Sequence, residues 1–340
     1  MKQNPIQSTV PFDTDGVHHG FLKLPHSRDD SAWGSVMIPI CVIRRGHGKC
    51  ALLTGANHGD EYEGPVALQQ LAHTLSASSV SGCVIIIPAM NFPAFQAGTR
   101  TSPIDGINLN RIFPGKPDGS VTEKIADYFE RTLIPMADVV VDIHAGGKTL
   151  DFLPFACAHM LDKQTLQAEC VAVMQAFNAP YSLMLLEIDN VGMFDSAVEA
   201  QGKIFISTEL GGGGTATATS IAIARKGLRN VLAHVGILDE PLQTAPSTML
   251  HMPDERCFVF SEHQGLLEPM VDLGATIAAD TPLARVWPMD RTGVSPVEYR
   301  AHLSGILCAR HFPGLIKPGD CMALVAQTTA EEHVDYVRSH

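Results

Sequence analysis

The sequence predicts an α/β fold: a mostly parallel mixed sheet flanked by helices, followed by a smaller C-terminal all-β domain. From Ser35 to about Val235, strand-length apolar runs alternate with helical patterns, an order typical of a parallel sheet with helices on both faces. Several of these runs are apolar throughout, as strands buried on both faces must be. After about Asp239 the helical patterns stop, and short strand-like runs separated by glycines replace them.

The predicted strands of the first part are Ser35–Arg44, Cys50–Thr54, Cys83–Pro88, Asp138–His144 and Lys203–Glu209. Near-helical spacing of apolar residues predicts helices at Glu63–Ser76, Val121–Leu133, Thr165–Phe177, Met193–Gln201 and Ala216–His234. In such sheets the active-site residues gather at the carboxyl ends of the strands. The residues that end these strands are therefore the first candidates for function.

The C-terminal part follows Glu240–Pro253, a segment rich in proline, threonine and serine, as linkers often are. Its predicted strands are Phe258–Phe260, Ala284–Trp287, Gly305–Ala309 and Cys321–Ala326. We therefore predict two domains: residues 1–245, with an N-terminal β extension and the candidate site, and a small β domain at residues 246–340. The second is similar to the barrel-sandwich layout of biotinyl and lipoyl carriers. It lacks their prosthetic lysine between two methionines, so a carrier function is rejected.

Composition excludes several classes of function. The chain has 340 residues, 45% of them hydrophobic, which is enough for one large core or two domains. A formal net charge of −12 without clustered lysine and arginine argues against a nucleic-acid partner. The eight cysteines form no CxxC pair, the start has no signal-like apolar region, and no apolar run can span a membrane. We expect a cytoplasmic protein with a small-molecule partner and no membrane partner; a homo-oligomer stays open.

A histidine and a glutamate lie three residues apart in the turn between a predicted strand and a predicted helix, His58-Gly59-Asp60-Glu61. His144 ends another predicted strand and is a candidate third ligand. Two histidines and one glutamate with an open fourth position form a catalytic zinc set, in which bound water loses a proton near neutral pH. Taken singly, His58 fits a solvent-facing turn equally well, and His144 is more often a hydrogen-bonded structural histidine.

Glu209 ends a further predicted strand and strengthens this hypothesis. A carboxylate at the end of a buried strand costs free energy unless it is paired or functional. From this position Glu209 can act as the general base that takes a proton from the zinc-bound water and returns it to a leaving nitrogen.

Two arginines lie in a long segment with little regular structure, Arg100 and Arg111. One guanidinium can stabilise the oxyanion of a tetrahedral intermediate, and the other, with Asn110, can bind a substrate carboxylate. Loop-ordering ion pairs explain either arginine equally well.

Four motifs resemble, in this order, the succinylglutamate desuccinylase and aspartoacylase family of zinc carboxypeptidase-like hydrolases: HGDE at 58–61, NLNRIFPG at 108–115, DIHAGG at 142–147 and TELGGGG at 208–214. The resemblance covers nearly the whole chain. It implies a zinc-carboxypeptidase-like fold and hydrolysis of the amide of an N-acyl amino acid, with one zinc ion on His58, Glu61 and His144. The resemblance also implies that Arg100 acts at the scissile carbonyl and that Glu209 is the base. Asn110 and Arg111 would bind the substrate carboxylate.

Asp60 departs from the family pattern, which usually reads HGNE. An additional carboxylate beside the metal suits a substrate that carries an ammonium group better than a dicarboxylate. We therefore assign Asp60 to substrate binding, with Glu187 and Asp189 as alternatives for the same ammonium. A helix N-cap is an equally good interpretation of Asp60. A dicarboxylic substrate, as in aspartoacylases and succinylglutamate desuccinylases, is the second candidate.

Two other classes of protein are less consistent with the sequence. Gly211–Gly214 suggests the phosphate-binding loop of a nucleotide-dependent enzyme, but it fits neither established glycine-rich pattern. A structural metal in a binding protein is disfavoured because such sites are closed by four protein ligands.

Asp142 shares a strand face with His144 and either orients that imidazole or points into the pocket. His18-His19 and His26 are interpreted as a polar surface turn, with a position near the site as the alternative.

Overall fold

The structure, a computed structural model, describes residues 3–329 and confirms the predicted α/β class. Residues 330–340, the last part of the predicted second domain, lie outside the described residues. The strands up to the second predicted domain are β1 (Gln7–Ser8), β2 (Gly16–Pro25), β3 (Ser35–Arg45), β4 (Cys50–Gly55), β5 (Gly82–Ile87), β6 (Val139–His144), β7 (Leu150–Phe152), β8 (Phe155–His159), β9 (Tyr181–Leu185) and β10 (Ile204–Glu209).

The helices also belong to the first part of the chain. They are α1 (Glu63–Thr74), α2 (Phe92–Ala97), α3 (Val121–Tyr128), α4 (Ile134–Met136), α5 (Gln164–Phe177), α6 (Phe194–Ala200) and α7 (Ala218–His234). A π-helical segment, Phe129–Leu133, joins α3 to α4, and short 3-10 turns lie at Ala77–Ser79, Leu109–Arg111 and Glu255–Cys257. No helix among residues 3–329 is long and apolar enough to cross a membrane.

The strands of the C-terminal part are β11 (Thr248–His251), β12 (Phe258–Phe260), β13 (Gly265–Pro269), β14 (Thr276–Ile277), β15 (Pro282–Trp287), β16 (Val297–Arg300), β17 (Gly305–His311), β18 (Leu315–Ile316) and β19 (Cys321–Thr328). Four of them form a separate sheet in the order β16-β15-β13-β18. Helical structure in this part is limited, within the described chain, to the single 3-10 turn.

Parallel pairing occupies the centre of the large sheet. Strand β4 pairs in parallel with β5 and β6, and β6 pairs in parallel with β10. Every residue of β4, β5 and β6 is buried, as the continuous apolar runs predict, because helices cover both faces. Helices α1, α5 and α7 contribute Leu68, Phe177 and Leu228 to the core on one face. The opposite face is covered by a core that includes Phe129 and Phe194.

Antiparallel strands form the flanks of this sheet. Strand β2 pairs with β3 over its whole length, and β8 pairs with β10 in antiparallel orientation. The interpretation of His18-His19 as part of a surface turn was wrong, because both residues lie in β2. The burial of β2 alternates along the strand, so that half of its side chains face solvent.

The large sheet continues across the predicted boundary between residues 245 and 246. Strand β11 lies within the predicted linker, pairs in parallel with β9, and pairs in antiparallel orientation with β19. Strand β7, which follows the loop after β6, pairs with β17. The C-terminal part has its own core, yet that core includes Phe155 and Leu183 from the first part. The two parts are therefore joined by backbone hydrogen bonds and by shared apolar packing.

Candidate active site

His58, Glu61 and His144 come together at the carboxyl ends of β4 and β6. Because these two strands are parallel neighbours, the turn after β4 lies beside the last residue of β6. One Glu61 oxygen lies 2.8 Å from His58 Nδ1, and the other lies 2.9 Å from His144 Nδ1. All three side chains are buried, and one ligand atom from each lies within 4.8 Å of the others.

Gly59 fits this turn against helix α2 with no space for a side chain. A Cβ at Gly59 would lie 2.0 Å from the backbone carbonyl carbon of Ala94 and 2.3 Å from the nitrogen of Phe95. The Gly59 amide also donates a hydrogen bond of 3.0 Å to the carbonyl of Thr99. The turn that carries His58 is therefore fixed to the segment that precedes Arg100.

Asp142 orients the imidazole of His144. Its Oδ2 lies 2.7 Å from His144 Nε2, on the opposite side of the ring from Glu61. Asp142 itself accepts hydrogen bonds from Thr54 Oγ1 at 2.7 Å and from Asn57 Nδ2 at 3.0 Å. Of the two interpretations of Asp142, the structure shows the contact with His144. A histidine held in this way by a carboxylate presents its other nitrogen to a metal in a fixed direction.

The electrostatics of His58 and Glu61 suit metal ligands, whereas for His144 burial would lower the pKa but Asp142 and Glu61 raise it well above its usual value. Burial lowers the pKa of His58 to about 4, so this imidazole is neutral at neutral pH. Burial would raise the pKa of Glu61, but the two neighbouring histidines hold it below its usual value. Neutral imidazole and ionised carboxylate are the forms that bind zinc. This donor set, with Asp142 behind His144, fits a zinc ion.

Glu209 lies beside His144, because β6 and β10 are paired in register at their last residues. Its side chain is half-buried, and its Oε2 is shielded from solvent and has no hydrogen-bond partner among the residues of the described chain. Burial, reinforced by the nearby Glu61 carboxylate, raises the pKa of Glu209 well above its usual value. A carboxyl group whose pKa is raised in this way holds a proton more readily than an exposed one, as a proton-transferring group must.

The structure brings one of the two predicted arginines directly to the cluster. Arg100 Nη1 lies 3.7 Å from Glu61 Oε1, with 42% of its side chain exposed, so the guanidinium stands at the mouth of the site. Asn110 is buried, and its Oδ1 accepts a hydrogen bond of 2.9 Å from the amide of Phe194. Arg111 is exposed and donates to the carbonyl of Asn110. Asn110 and Arg111 are thus tied to the start of α6.

Asp60 does not cap helix α1, so that alternative was wrong. The helix begins at Glu63 with Tyr62 as N-cap and no side-chain capping bond. Asp60 is buried, and its Oδ2 accepts a hydrogen bond of 2.8 Å from the amide of Lys148 in the loop after β6. Its assignment to substrate binding stays a prediction. Of the two alternatives, Asp189 is exposed, whereas Glu187 is half-buried.

A second polar cluster, in which buried His159 and Asp195 meet half-buried Glu187 and Glu199, was not found from the sequence. The sequence gives no signal for it, because no nearby residue has ligand spacing to His159. Glu199 Oε1 lies 2.9 Å from His159 Nδ1, and Glu187 Oε1 lies 3.5 Å from His159 Nε2. The four residues come from the end of β8, the loop after β9, and α6, so only the placement of α6 on the sheet brings them together.

The fold and the site define the class of protein. Residues 47–235 match the catalytic domain of the succinylglutamate desuccinylase/aspartoacylase family, and the chain belongs to this family. A curated relative, the N-alpha-acetyl-L-2,4-diaminobutyric acid deacetylase of Halomonas elongata, is 56% identical over 329 residues, 96% of each chain.

Solved structures resemble the whole described fold. One of them is the product-bound structure of the ectoine utilization protein EutE (DoeB) from Ruegeria pomeroyi, which is 66% identical with a TM-score of 0.95. The match covers 96% of the present chain and 100% of the EutE chain. A succinylglutamate desuccinylase/aspartoacylase from Rhodobacter sphaeroides has a TM-score of 0.91 at 34% identity, with 96% and 100% covered. The sequence GTRTSPIDG at 98–106 and TELGGGGTATA at 208–218 resembles N-acetyl-diaminobutyrate deacetylases in particular, and the relatives confirm that resemblance.

Proposed function

We propose that this chain is a zinc-dependent deacetylase that hydrolyses N-alpha-acetyl-L-2,4-diaminobutyrate to L-2,4-diaminobutyrate and acetate, a step of ectoine degradation. The observation that carries the proposal is the buried His58–Glu61–His144 cluster with Glu209 beside it. The 56% identity to a deacetylase over almost the whole chain supports the choice of substrate. All eight cysteines are free thiols, which favours the cytoplasm as the compartment.

In this proposal His58, Glu61 and His144 hold one zinc ion per chain. When bound there, zinc polarises the acetyl carbonyl and lowers the pKa of water. Asp142 keeps the imidazole of His144 in one orientation and one tautomer. The low exposure of the three ligands keeps bulk water from competing with the substrate for the site.

Glu209 moves the proton of the reaction. Its Oε2, buried and without a hydrogen-bond partner in the described chain, accepts a proton from the attacking water and donates it to the leaving nitrogen. Arg100 donates hydrogen bonds to the oxygen on which negative charge develops. Asn110 and Arg111 bind the α-carboxylate of the amino acid, with Asn110 Nδ2 and the Arg111 guanidinium as donors. These residues orient the amide so that the carbonyl faces the three ligands.

Replacement of Glu209 tests this mechanism. We expect Glu209→Gln to reduce kcat by about 10²- to 10⁴-fold, because the amide cannot transfer the proton, while one zinc ion per chain is retained. Glu169→Gln, an exposed carboxylate on α5, is the matched control and should keep wild-type turnover. Wild-type turnover by Glu209→Gln would exclude the assigned role. Activity that persists in a metal-free, chelator-treated protein would exclude the zinc mechanism.

The substrate is tested by a panel of N-alpha-acetyl-2,4-diaminobutyrate, acetyl-aspartate and succinyl-glutamate. A relative of 66% identity, from Silicibacter sp. TM1040, bears the description succinylglutamate desuccinylase, which makes a dicarboxylic substrate the second candidate. We expect kcat/KM to be highest for the first compound. A higher value for either dicarboxylate would overturn the substrate assignment but leave the hydrolase class intact.

A further inference from the structure

Lys148 lies where three of the loops around the candidate site meet. It directly follows the motif DIHAGG, in the loop after β6, and its backbone amide donates the hydrogen bond of 2.8 Å to Asp60 Oδ2. Its ammonium donates a hydrogen bond of 2.5 Å to the carbonyl of Gly98, two residues before Arg100. We propose that Lys148 is a positioning residue that holds the segment at residues 98–100, and with it Arg100, in place for the reaction. This inference rests on the proposed deacetylase function.

The Gly98 carbonyl lies at the end of helix α2, where the last carbonyl groups have no partner within the helix. Gly98 is the C-cap residue and has a φ of +61°, the left-handed conformation in which the chain leaves the helix toward Arg100. A lysine ammonium at such an end satisfies the carbonyl and interacts favourably with the negative end of the helix dipole. Lys148 therefore stabilises the turn through which the chain passes from α2 to Arg100.

The alkyl chain of Lys148 is confined by the glycine-rich loop after β10. A Cβ at Gly214 would lie 2.6 Å from Lys148 Cγ, so glycine leaves the room that the lysine side chain occupies. The Gly214 amide also donates a hydrogen bond to the carbonyl of Gly147, the residue before Lys148. These contacts limit the orientations of an otherwise exposed lysine, so less rotamer entropy is lost when its ammonium binds the Gly98 carbonyl.

Arg100 depends on its backbone for its position. Its guanidinium comes no closer than 3.7 Å to Glu61 Oε1, and no other polar contact of this side chain is found within the described chain. The backbone before it is held by two hydrogen bonds, one from Lys148 to the Gly98 carbonyl and one from the ligand turn to the Thr99 carbonyl. Loss of the first bond should reduce kcat more than it raises KM, because the oxyanion that Arg100 stabilises exists only in the transition state.

The kinetics of Lys148→Met test the proposal, because this variant loses the ammonium and keeps an unbranched side chain. With N-alpha-acetyl-2,4-diaminobutyrate we expect kcat to fall about 5- to 30-fold, while KM stays within about threefold of wild type and the zinc content is unchanged. Lys163→Met removes an exposed lysine at the start of α5 and is the matched control, with wild-type kcat and KM. A wild-type kcat in Lys148→Met, or a loss that appears in KM alone, would overturn the assignment.

A double-mutant cycle separates this role from a general contribution to stability. If Lys148 acts through Arg100, the double variant Lys148→Met/Arg100→Ala should have a kcat within about twofold of that of Arg100→Ala alone. If Lys148 acts independently of Arg100, the two losses multiply. Multiplied losses, or a loss of zinc in Lys148→Met, would therefore refute the inference.

Hydrogen exchange measures the hold on residues 98–100 without turnover. The Thr99 amide donates to the carbonyl of Ala94, and the Gly59 amide donates to the carbonyl of Thr99, so both amides report on this segment. Their exchange should be at least about threefold faster in Lys148→Met than in the wild type or the control, and unchanged exchange would overturn the proposal. If the wild type hydrolyses no N-acetyl amino acid, or if Arg100→Ala keeps full turnover, the proposed function fails; faster exchange in Lys148→Met would still support the hold on the segment.

Discussion

Gly59→Ala tests whether the close contact between α2 and the turn His58–Glu61, called here the ligand turn, sets the geometry of the proposed metal site. The added methyl carbon would lie 2.0 Å from the carbonyl carbon of Ala94 and 2.2 Å from its oxygen. Non-bonded carbon atoms rest about 3.5 to 4.0 Å apart, so one of the two backbones must move by roughly 1.5 Å. Both atoms belong to backbone, so no side-chain rotation can relieve the contact.

A movement of that size exceeds what a metal site tolerates. Metal–ligand distances vary by about 0.2 Å, and His58 and Glu61 are on either side of Gly59 in this turn. The Gly59–Thr99 hydrogen bond would transmit the shift to the segment that carries Arg100. We therefore expect kcat/KM to fall by about 100-fold or more and zinc affinity to fall with it. The free energy of unfolding of the metal-free protein should fall by about 1 to 3 kcal/mol.

The assay combines zinc content, chelator competition, deacetylation kinetics and urea denaturation of the metal-free protein. Gly314→Ala is the matched control, because a Cβ there would meet one side-chain atom at 3.9 Å, an ordinary contact. The control should keep wild-type values in all four measurements. If Gly59→Ala binds zinc with wild-type affinity and turns over within about threefold of wild type, the contact with α2 does not determine the ligand geometry and the reasoning is wrong.

Two further predictions concern buried carboxylate–histidine pairs. Asp142→Ala should weaken zinc binding by about 10- to 100-fold in a chelator competition, because nothing then holds His144 Nε2; unchanged affinity would show that Asp142 has only a packing role. For His159, burial lowers the pKa but Glu187 and Glu199 raise it more, from 6.5 to about 10. Its contribution to stability is thus fully present below pH 6.5 and lost as the pH rises through about 10. We expect the free energy of unfolding of the wild type to fall between about pH 6.5 and pH 10, and this fall to be absent in His159→Gln. A pH profile of the variant that matches the wild type would contradict the prediction.

The elements that the sequence predicts well are those with the plainest physical cause. Strands β4 and β6 agree with the predicted strands to within a residue, because continuous apolar runs of that length need cover on both faces. Strand β11 was interpreted as linker, since its pairing with β9 and β19 depends on partners far away in the chain. Propensity and local pattern carry no information on such partners.

In the candidate site too, some features follow from local sequence pattern and others depend on how distant elements pack. The meeting of His58, Glu61 and His144 follows from strand ends that adjoin in a parallel sheet. The i, i+2 spacing of Asp142 and His144 places both side chains on one face of the strand, but it does not determine their rotamers. The contact between Asp142 Oδ2 and His144 Nε2 could therefore be found only from the structure. The cluster around His159 was missed because it depends on where α6 packs.

The place of β19 in the large sheet has a consequence for biosynthesis. This strand, which ends at Thr328, lies between β11 and β17, and β17 in turn pairs with β7, soon after His144. The nascent chain cannot complete this part of the sheet until the ribosome has released its last described strand. The ligand turn and the three ligands are synthesised long before that point, so the loop after His144 gains its β17 partner late. A product truncated between β10 and β17 would contain all three proposed ligands and still lack the strands that hold this loop in place.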